Sequence, residues 1–219
     1  MVVYNSPKRT RNVKAKWNKV YNKQSNRKRV LVMRIPDDPI VSTALSIKKH
    51  ITKQLTYLDI GCGDGFYAVQ LTKKGFNSTG MDISEVAIRR ARRFAKKNNV
   101  YVNFIVGNAL RKTIKGQFDL VASNFVLQLV KESYKRKFIE NMMSHTAPGG
   151  YNVIIFHTQH RPRINSKTGQ GEDISGFQKK LADFYVKKGW SVKKHKIGFS
   201  GKNYVGYSVH WEYIVAQNR

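Results

Sequence analysis

The chain has 219 residues, 41% of them hydrophobic, enough for one domain with a sizeable core. Its single cysteine, Cys62, excludes an intramolecular disulfide and a cysteine-rich zinc cluster, and no metal site is expected. With 41 Lys and Arg against 13 Asp and Glu, the net charge is +28, which asks for a polyanionic partner, most commonly nucleic acid.

Residues 1–34 carry eleven of these cations and no acid. Lys8, Arg9, Arg11, Lys14, Lys16, Lys19, Arg27, Lys28 and Arg29 recur every few positions, with Trp17 and Tyr21 among them. So few apolar residues cannot by themselves offset the entropy of ordering, which predicts a disordered basic extension. Rings interleaved with cations suit RNA, since rings stack on bases while cations track phosphates. A transit peptide and a solvated tail are the competing readings. Ile35-Pro36-Asp37-Asp38-Pro39 is turn-rich and sets the boundary of a folded domain over residues 35–219.

Val41, Ala44, Leu45, Ile51 and Leu55 are spaced as on a helix over residues 41–54. Residues 56–60 read as a buried strand, 61–65 as a glycine loop and 66–74 as a helix stopped by Gly75. A second strand over 76–81 ends at Met81-Asp82. Ser84 is a good N-cap for a helix over 85–97, with Glu85 favourable at its positive end. That helix carries Arg89, Arg90, Arg92, Arg93, Lys96 and Lys97 around a narrow apolar stripe. Strands over 101–106 and 118–123, a helix over 133–146, a break at Pro148-Gly149-Gly150 and a strand over 151–157 follow. A polar loop then runs to about residue 172, followed by a helix over 174–188. Two strands, 190–198 and 204–216, close the chain around a turn at Ser200-Gly201-Lys202-Asn203. Strands alternating with helices specify an α/β fold with a doubly wound, mostly parallel sheet. No apolar run reaches a membrane span and no secretory signal is visible, so an intracellular protein is expected, with the cytoplasm favoured and an organelle or the nucleus left open.

The chemistry centres on Leu58-Asp59-Ile60-Gly61-Cys62-Gly63-Asp64-Gly65-Phe66, a strand, a glycine loop and a helix start. A phosphate-binding P-loop needs Gly-Lys-Ser/Thr at its end, and here Phe66 and Tyr67 follow Gly65. The dinucleotide fingerprint needs a glycine at position 66, which is Phe. What remains is a glycine loop preceded by an acid, Asp59, with a second acid, Asp82, ending the next strand.

With those residues the chain resembles the class I S-adenosylmethionine-dependent methyltransferases, whose fold is Rossmann-like. Leu58–Gly65 is similar to their first motif, Asp82 to their ribose-binding acid, Phe118–Asn124 to their fourth-strand motif, and Pro148-Gly149-Gly150 to the turn before strand five. The resemblance implies S-adenosylmethionine as cofactor. Gly61, Cys62, Gly63 and Gly65 would cradle its methionyl part and ribose, and Asp59 would meet its ammonium. Asp82 would accept both ribose hydroxyls, and Ile83 would pack on the adenine. Asn108, beside Ala109, stands where the family often has an acid for the adenine amine. Asn124 and His157, after strands four and five, are the candidates for acceptor chemistry, Asn124 also touching the cofactor.

The acceptor is less legible. Asn124 lacks the prolines of the motif that methylates exocyclic amines, and Cys62 is in the wrong place for pyrimidine C5 chemistry. His160 and Arg161 also fall near the expected acceptor pocket. Phe184-Tyr185 with Gly189-Trp190 is similar to the tellurite-resistance methyltransferases, which act on small chalcogen nucleophiles, but their C-terminal His-Arg pair is missing here. Three functions therefore stand: a methyltransferase acting on nucleic acid, with RNA favoured; a methyltransferase-fold ribonucleoprotein component with little or no catalysis; and a small-molecule methyltransferase. Removing residues 1–34 is expected to cripple the first and spare the third.

Overall fold

Seven strands form one sheet in the order β3-β2-β1-β4-β5-β9-β8. The computed structural model describes residues 7–23, 35, 37–111, 114–158, 163–164, 171–172, 177, 180–202 and 208–219. In chain order these are α1 (Pro7–Lys23), α2 (Pro39–Lys48), β1 (Thr56–Ile60), α3 (Phe66–Lys73), β2 (Asn77–Asp82), α4 (Glu85–Lys97), β3 (Asn103–Val106) and β4 (Phe118–Asn124). Then come α5 (Glu132–Ser144), β5 (Thr146–Thr158), the short pair β6 (Arg163–Ile164) and β7 (Gly171–Glu172), α6 (Leu181–Lys187), β8 (Ser191–Lys202) and β9 (Ser208–Gln217). β1 to β5 pair in parallel, while β9 inserts antiparallel between β5 and β8. The α/β reading is correct, and among the described residues no helix is long and apolar enough to cross a membrane.

The period of two along each strand builds the layers. Tyr57, Leu120, Ala122, Val153 and Ile155 point to one face, against Ile40 and Ala44 of α2, Leu71 of α3 and Ala91 of α4. Leu58, Ile60, Val121, Ile154 and Phe156 point to the other, against Phe138 and Met142 of α5 and Leu181 and Tyr185 of α6. Strands buried on both faces explain the near-continuous apolar runs in the sequence.

Several boundaries move. α2 starts earlier than expected, because Asp38 caps it by accepting from Ile40 N and Val41 N, and it ends sooner, at Lys48. Pro148-Gly149-Gly150, expected as the turn between the helix and strand five, lies inside β5, at an irregularity in its register with β4. Its backbone finds partners at the chain end, Gly149 N donating to Asn218 O and Asn218 N to Gly150 O, both at 2.9 Å. β8 runs through Ser200-Gly201-Lys202, so the hairpin connection falls on residues 203–207, outside the described residues.

The largest correction concerns the basic extension. Residues 7–23 are not disordered but form a 17-residue helix on α4. Val13, Trp17 and Tyr21 recur every fourth residue and lie along one stripe, with Val13 and Tyr21 buried. These side chains are too few to order the segment alone; the domain supplies the other half of the contact. Asn18 fixes the docking. Its Oδ1 accepts from the Ser84 hydroxyl at 2.7 Å, and the same hydroxyl oxygen accepts from Ala87 N as the N-cap of α4. Arg90 Nη1 donates to Tyr21 O at 3.0 Å, and Lys14 pairs with Glu85. Replacing Ser84 by Ala removes a cap and a docking bond together. Urea denaturation should show a loss of about 1–2 kcal/mol, larger than for Asn18→Ala.

Candidate active site

The chain leaves β1 toward β2 on one side, and β4 is followed by β5 on the other. Adjacent β1 and β4 therefore flank the switch point of the sheet, where a crevice opens beyond the carboxyl ends of the strands. β1 delivers Asp59 and the glycine loop to this crevice, and β4 delivers Asn124.

Backbone and carboxylate together set the loop. Gly61 N and Cys62 N both donate to Met81 O, at 2.7 and 2.9 Å. Asp82 accepts from Gly63 N at 3.1 Å through one oxygen and from Ser84 N at 2.8 Å through the other. A Cβ on Gly61 would lie 2.3 Å from a methyl of Val126, and one on Gly63 would lie 2.8 Å from the Tyr21 hydroxyl. Gly65 has another task. It caps α3 at φ 81°, and a Cβ there would meet Phe104 at 2.7 Å and Ala91 at 2.9 Å.

Twenty-three residues line a cavity of about 270 Å³ at this crevice. Asp59, Asp64 and Asp82 are among them, and among the described residues no Lys or Arg is. In a chain of net charge +28 this is a strong segregation of charge. It disfavours a phosphate and suits a ligand with cationic groups, as S-adenosylmethionine has in its sulfonium and ammonium. Two further features fit that cofactor. Asp59 Oδ2 and Asn124 Oδ1 are buried with no hydrogen-bond partner among the described residues, and at Gly61 and Gly63 the loop has no room for a side chain. Asp59 would face the ammonium, Asp82 the ribose, and Ile83 the adenine.

Burial raises the Asp59 carboxyl to about 8, with the charge of Asp82 adding to the shift and the Ala68 amide opposing it. Burial likewise raises Asp82 to about 6, against the amides of Ser84, Gly63 and Ile83. Asp59 thus keeps its proton in the native chain at neutral pH, whereas an unfolded aspartate ionises at about 3.9. Its contribution to stability therefore falls as pH rises from about 4 toward about 8.

Of the expected site residues, Asp59, Gly61, Cys62, Gly63, Asp82, Ile83, Ala109, Asn124 and His157 line the cavity. Gly65 and Asn108 do not. Asn108 is buried, and its Oδ1 accepts from Leu110 N at 3.0 Å, so it shapes the loop after β3. Cys62 is buried, and burial pushes its thiol well up, which removes it as a nucleophile. His157 stacks on Phe125 with centroids 4.3 Å apart. Phe125 holds φ 53°, an uncommon conformation for an aromatic residue, beside the cavity. Lys14, Arg11, Lys16 and Lys19 lie on α1, and Lys8 and Arg9 fall in its first turn. Arg27, Lys28, Arg29, His160 and Arg161 lie outside the described residues.

The sequence reading missed Trp17 and Tyr21, which reach the cavity from α1, and Phe125 and Gln128. The four-residue spacing from Val13 to Tyr21 was the signal for the first pair. Burial and the nearby Asp82 push the Tyr21 hydroxyl upward, so it stays neutral against the acids.

An acid-lined glycine loop at the switch point of this sheet defines the S-adenosylmethionine-dependent methyltransferase class. Residues 58–150 match the methyltransferase domain family. The ubiquinone biosynthesis O-methyltransferase of Rickettsia akari (strain Hartford) is 33% identical over 106 residues, 48% of this chain and 41% of that protein. A probable S-adenosyl-L-methionine-dependent methyltransferase, TehB, of Haemophilus influenzae (strain 10810) is 29% identical over 98 residues, 45% of this chain and 34% of that one. The chain thus spans less than half the length of these curated relatives. Among solved structures, magnesium protoporphyrin IX methyltransferase from Synechocystis PCC 6803 with bound S-adenosylhomocysteine shares the fold. Its TM-score is 0.67 at 15% identity, over 96% of this chain and 99% of that one. TehB from Haemophilus influenzae gives a TM-score of 0.64 at 19% identity, over 91% and 66% of the two chains.

Two outcomes follow from this geometry. Binding of S-adenosylmethionine should release protons at neutral pH, because its cationic end draws the proton from Asp59, and the release should fade above about 8. Calorimetry in two buffers of different ionisation heat reads this, and Asp59→Asn should remove it. Asp82→Ala should weaken donor binding by about 1.5–3 kcal/mol, and an unchanged dissociation constant would overturn the ribose assignment.

Proposed function

We propose that this chain transfers a methyl group from S-adenosylmethionine to an acceptor carried on nucleic acid, with RNA favoured. The observation that carries this reading is the placement of charge. The acid-lined cavity is roofed by α1, and α1 with its neighbour α4 holds ten described cations outside that cavity (Arg11, Lys14, Lys16, Lys19, Arg89, Arg90, Arg92, Arg93, Lys96 and Lys97) against one acid, Glu85. At the far end of α4, Arg92, Lys96, Asn99 and Asn103 line a groove with Tyr101, whose side is 83% exposed. An open aromatic face between cations suits a base of a single strand.

The donor supplies an electrophilic methyl group on its sulfonium. The chain's own residues bind and orient. Asp59 and Asp82 hold the two ends, and Trp17, Tyr21 and Phe66 keep water from the cavity. Asn124 offers a free carbonyl oxygen to an acceptor N–H or O–H. His157, held by its stacking on Phe125, is the side chain in the lining suited to take a proton at a ring nitrogen.

A small-molecule acceptor is the second reading. The relatives' names support it, as does the apolar wall of Phe125, Val126, Leu129, Val130 and Phe138. Truncation of the basic extension no longer separates the two, because α1 carries part of the donor cavity and its loss would disable either activity. Charge reversal does. Arg93→Glu with Lys97→Glu should cut RNA affinity and methyl incorporation into RNA at least tenfold, and leave a small-molecule activity intact. Filter binding of single-stranded RNA should weaken roughly 50-fold from about 50 to about 200 mM salt for about four phosphates contacted. Salt-insensitive binding, or incorporation into small acceptors alone, would overturn the nucleic-acid reading.

A further inference from the structure

α1 is the roof of the donor cavity, yet charge opposes its seat on the domain. It contains no acid, and α4 beneath it contains only Glu85, already paired with Lys14. Arg11, Lys16 and Lys19 of α1 and Arg89, Arg92 and Arg93 of α4 are exposed. Packed helices lie about 8–10 Å apart, within about one Debye length at 0.1 M salt, so the like charges of the pair repel through solvent. Against this stand the burial of Val13 and Tyr21, the Asn18–Ser84 bond and the Arg90–Tyr21 bond. The same helix puts Trp17 and Tyr21 into the cavity, the Tyr21 hydroxyl close over Gly63.

We propose that α1 is a lid whose closure is completed by single-stranded RNA lying across α1 and α4, so that RNA binding and donor binding reinforce each other. The inference rests on the nucleic-acid reading above. Phosphates across the two helices neutralise the repulsion that loosens α1; a seated α1 brings Trp17 and Tyr21 onto the donor and excludes water. RNA is the occupant that the charge pattern and the Tyr101 groove both fit. By linkage, the factor by which RNA tightens the donor is the factor by which the donor tightens RNA.

The test is calorimetric titration of the full chain with S-adenosylhomocysteine at low salt, alone and with saturating oligouridylate. The affinity should rise about fivefold or more with the oligonucleotide, the lower end of common coupling factors. Lys16→Gln with Lys19→Gln relieves part of the repulsion. Without RNA it should tighten S-adenosylhomocysteine, and it should shrink the increment from RNA. Trp17→Ala should remove the increment while RNA still binds, with thermal unfolding checking that the domain stays folded. If oligouridylate binds but the affinity for S-adenosylhomocysteine does not change, the coupling is wrong and the nucleic-acid reading survives. If oligouridylate does not bind at all, both fall. If the Lys16, Lys19 variant binds S-adenosylhomocysteine more weakly, repulsion is not what loosens the lid.

Discussion

The carboxylate of Asp82 is the joint on which the site depends. One oxygen holds Gly63 N and the other holds Ser84 N, so a single side chain ties the glycine loop after β1 to the start of α4. Ser84 passes the constraint on. Its hydroxyl caps α4 and donates to Asn18, which seats α1. Loop, helix start and α1 are thus one connected set of hydrogen bonds around one half-buried acid. The same acid is the residue that would accept the ribose. A ligand there competes for a carboxylate already charged with holding the loop, so donor binding and loop geometry are linked by construction.

Charge is segregated at a short distance. The cavity gathers three aspartates and, among the described residues, no lysine or arginine, in a chain where cations outnumber acids by 41 to 13. Burial keeps Asp59 protonated near neutrality, so the cavity itself does not hold three full negative charges. A cationic donor would restore the ionised form and gain the attraction at the moment of binding. The cations, meanwhile, sit on the outer faces of α1 and α4, where water solvates them. A surface for a polyanion and a pocket for a cation can then occupy the same end of the fold.

The acceptor side has a different character. Phe125, in a left-handed conformation at the end of β4, carries His157 against its ring, and Asn124 beside it leaves a buried carbonyl oxygen unpartnered. Such departures from ordinary backbone and hydrogen-bond habits collect where function requires them. Methyl transfer needs alignment more than strong acid or base chemistry, which is in keeping with the few titratable groups among the described residues on this side.

The sequence alone determined the alternating α/β order, the two acids flanking a glycine loop, the Ser84 cap and the absence of phosphate-binding residues. These are local signals: periodicity, caps and turn chemistry act over a few residues and survive without a tertiary partner. What the tertiary structure decided lies at longer range. Gly65 looked like a ligand contact and proved to be a packing contact with Phe104 and Ala91, because a missing Cβ serves both ends and only neighbours distant in sequence tell which. Asn108 looked like an adenine contact and instead binds its own loop. The basic segment, with Val13, Trp17, Val20 and Tyr21 as its sparse apolar side chains, cannot fold alone. Their partner is a helix some 70 residues away, and its burial of Val13 and Tyr21 is what orders the segment and makes it the roof of the site.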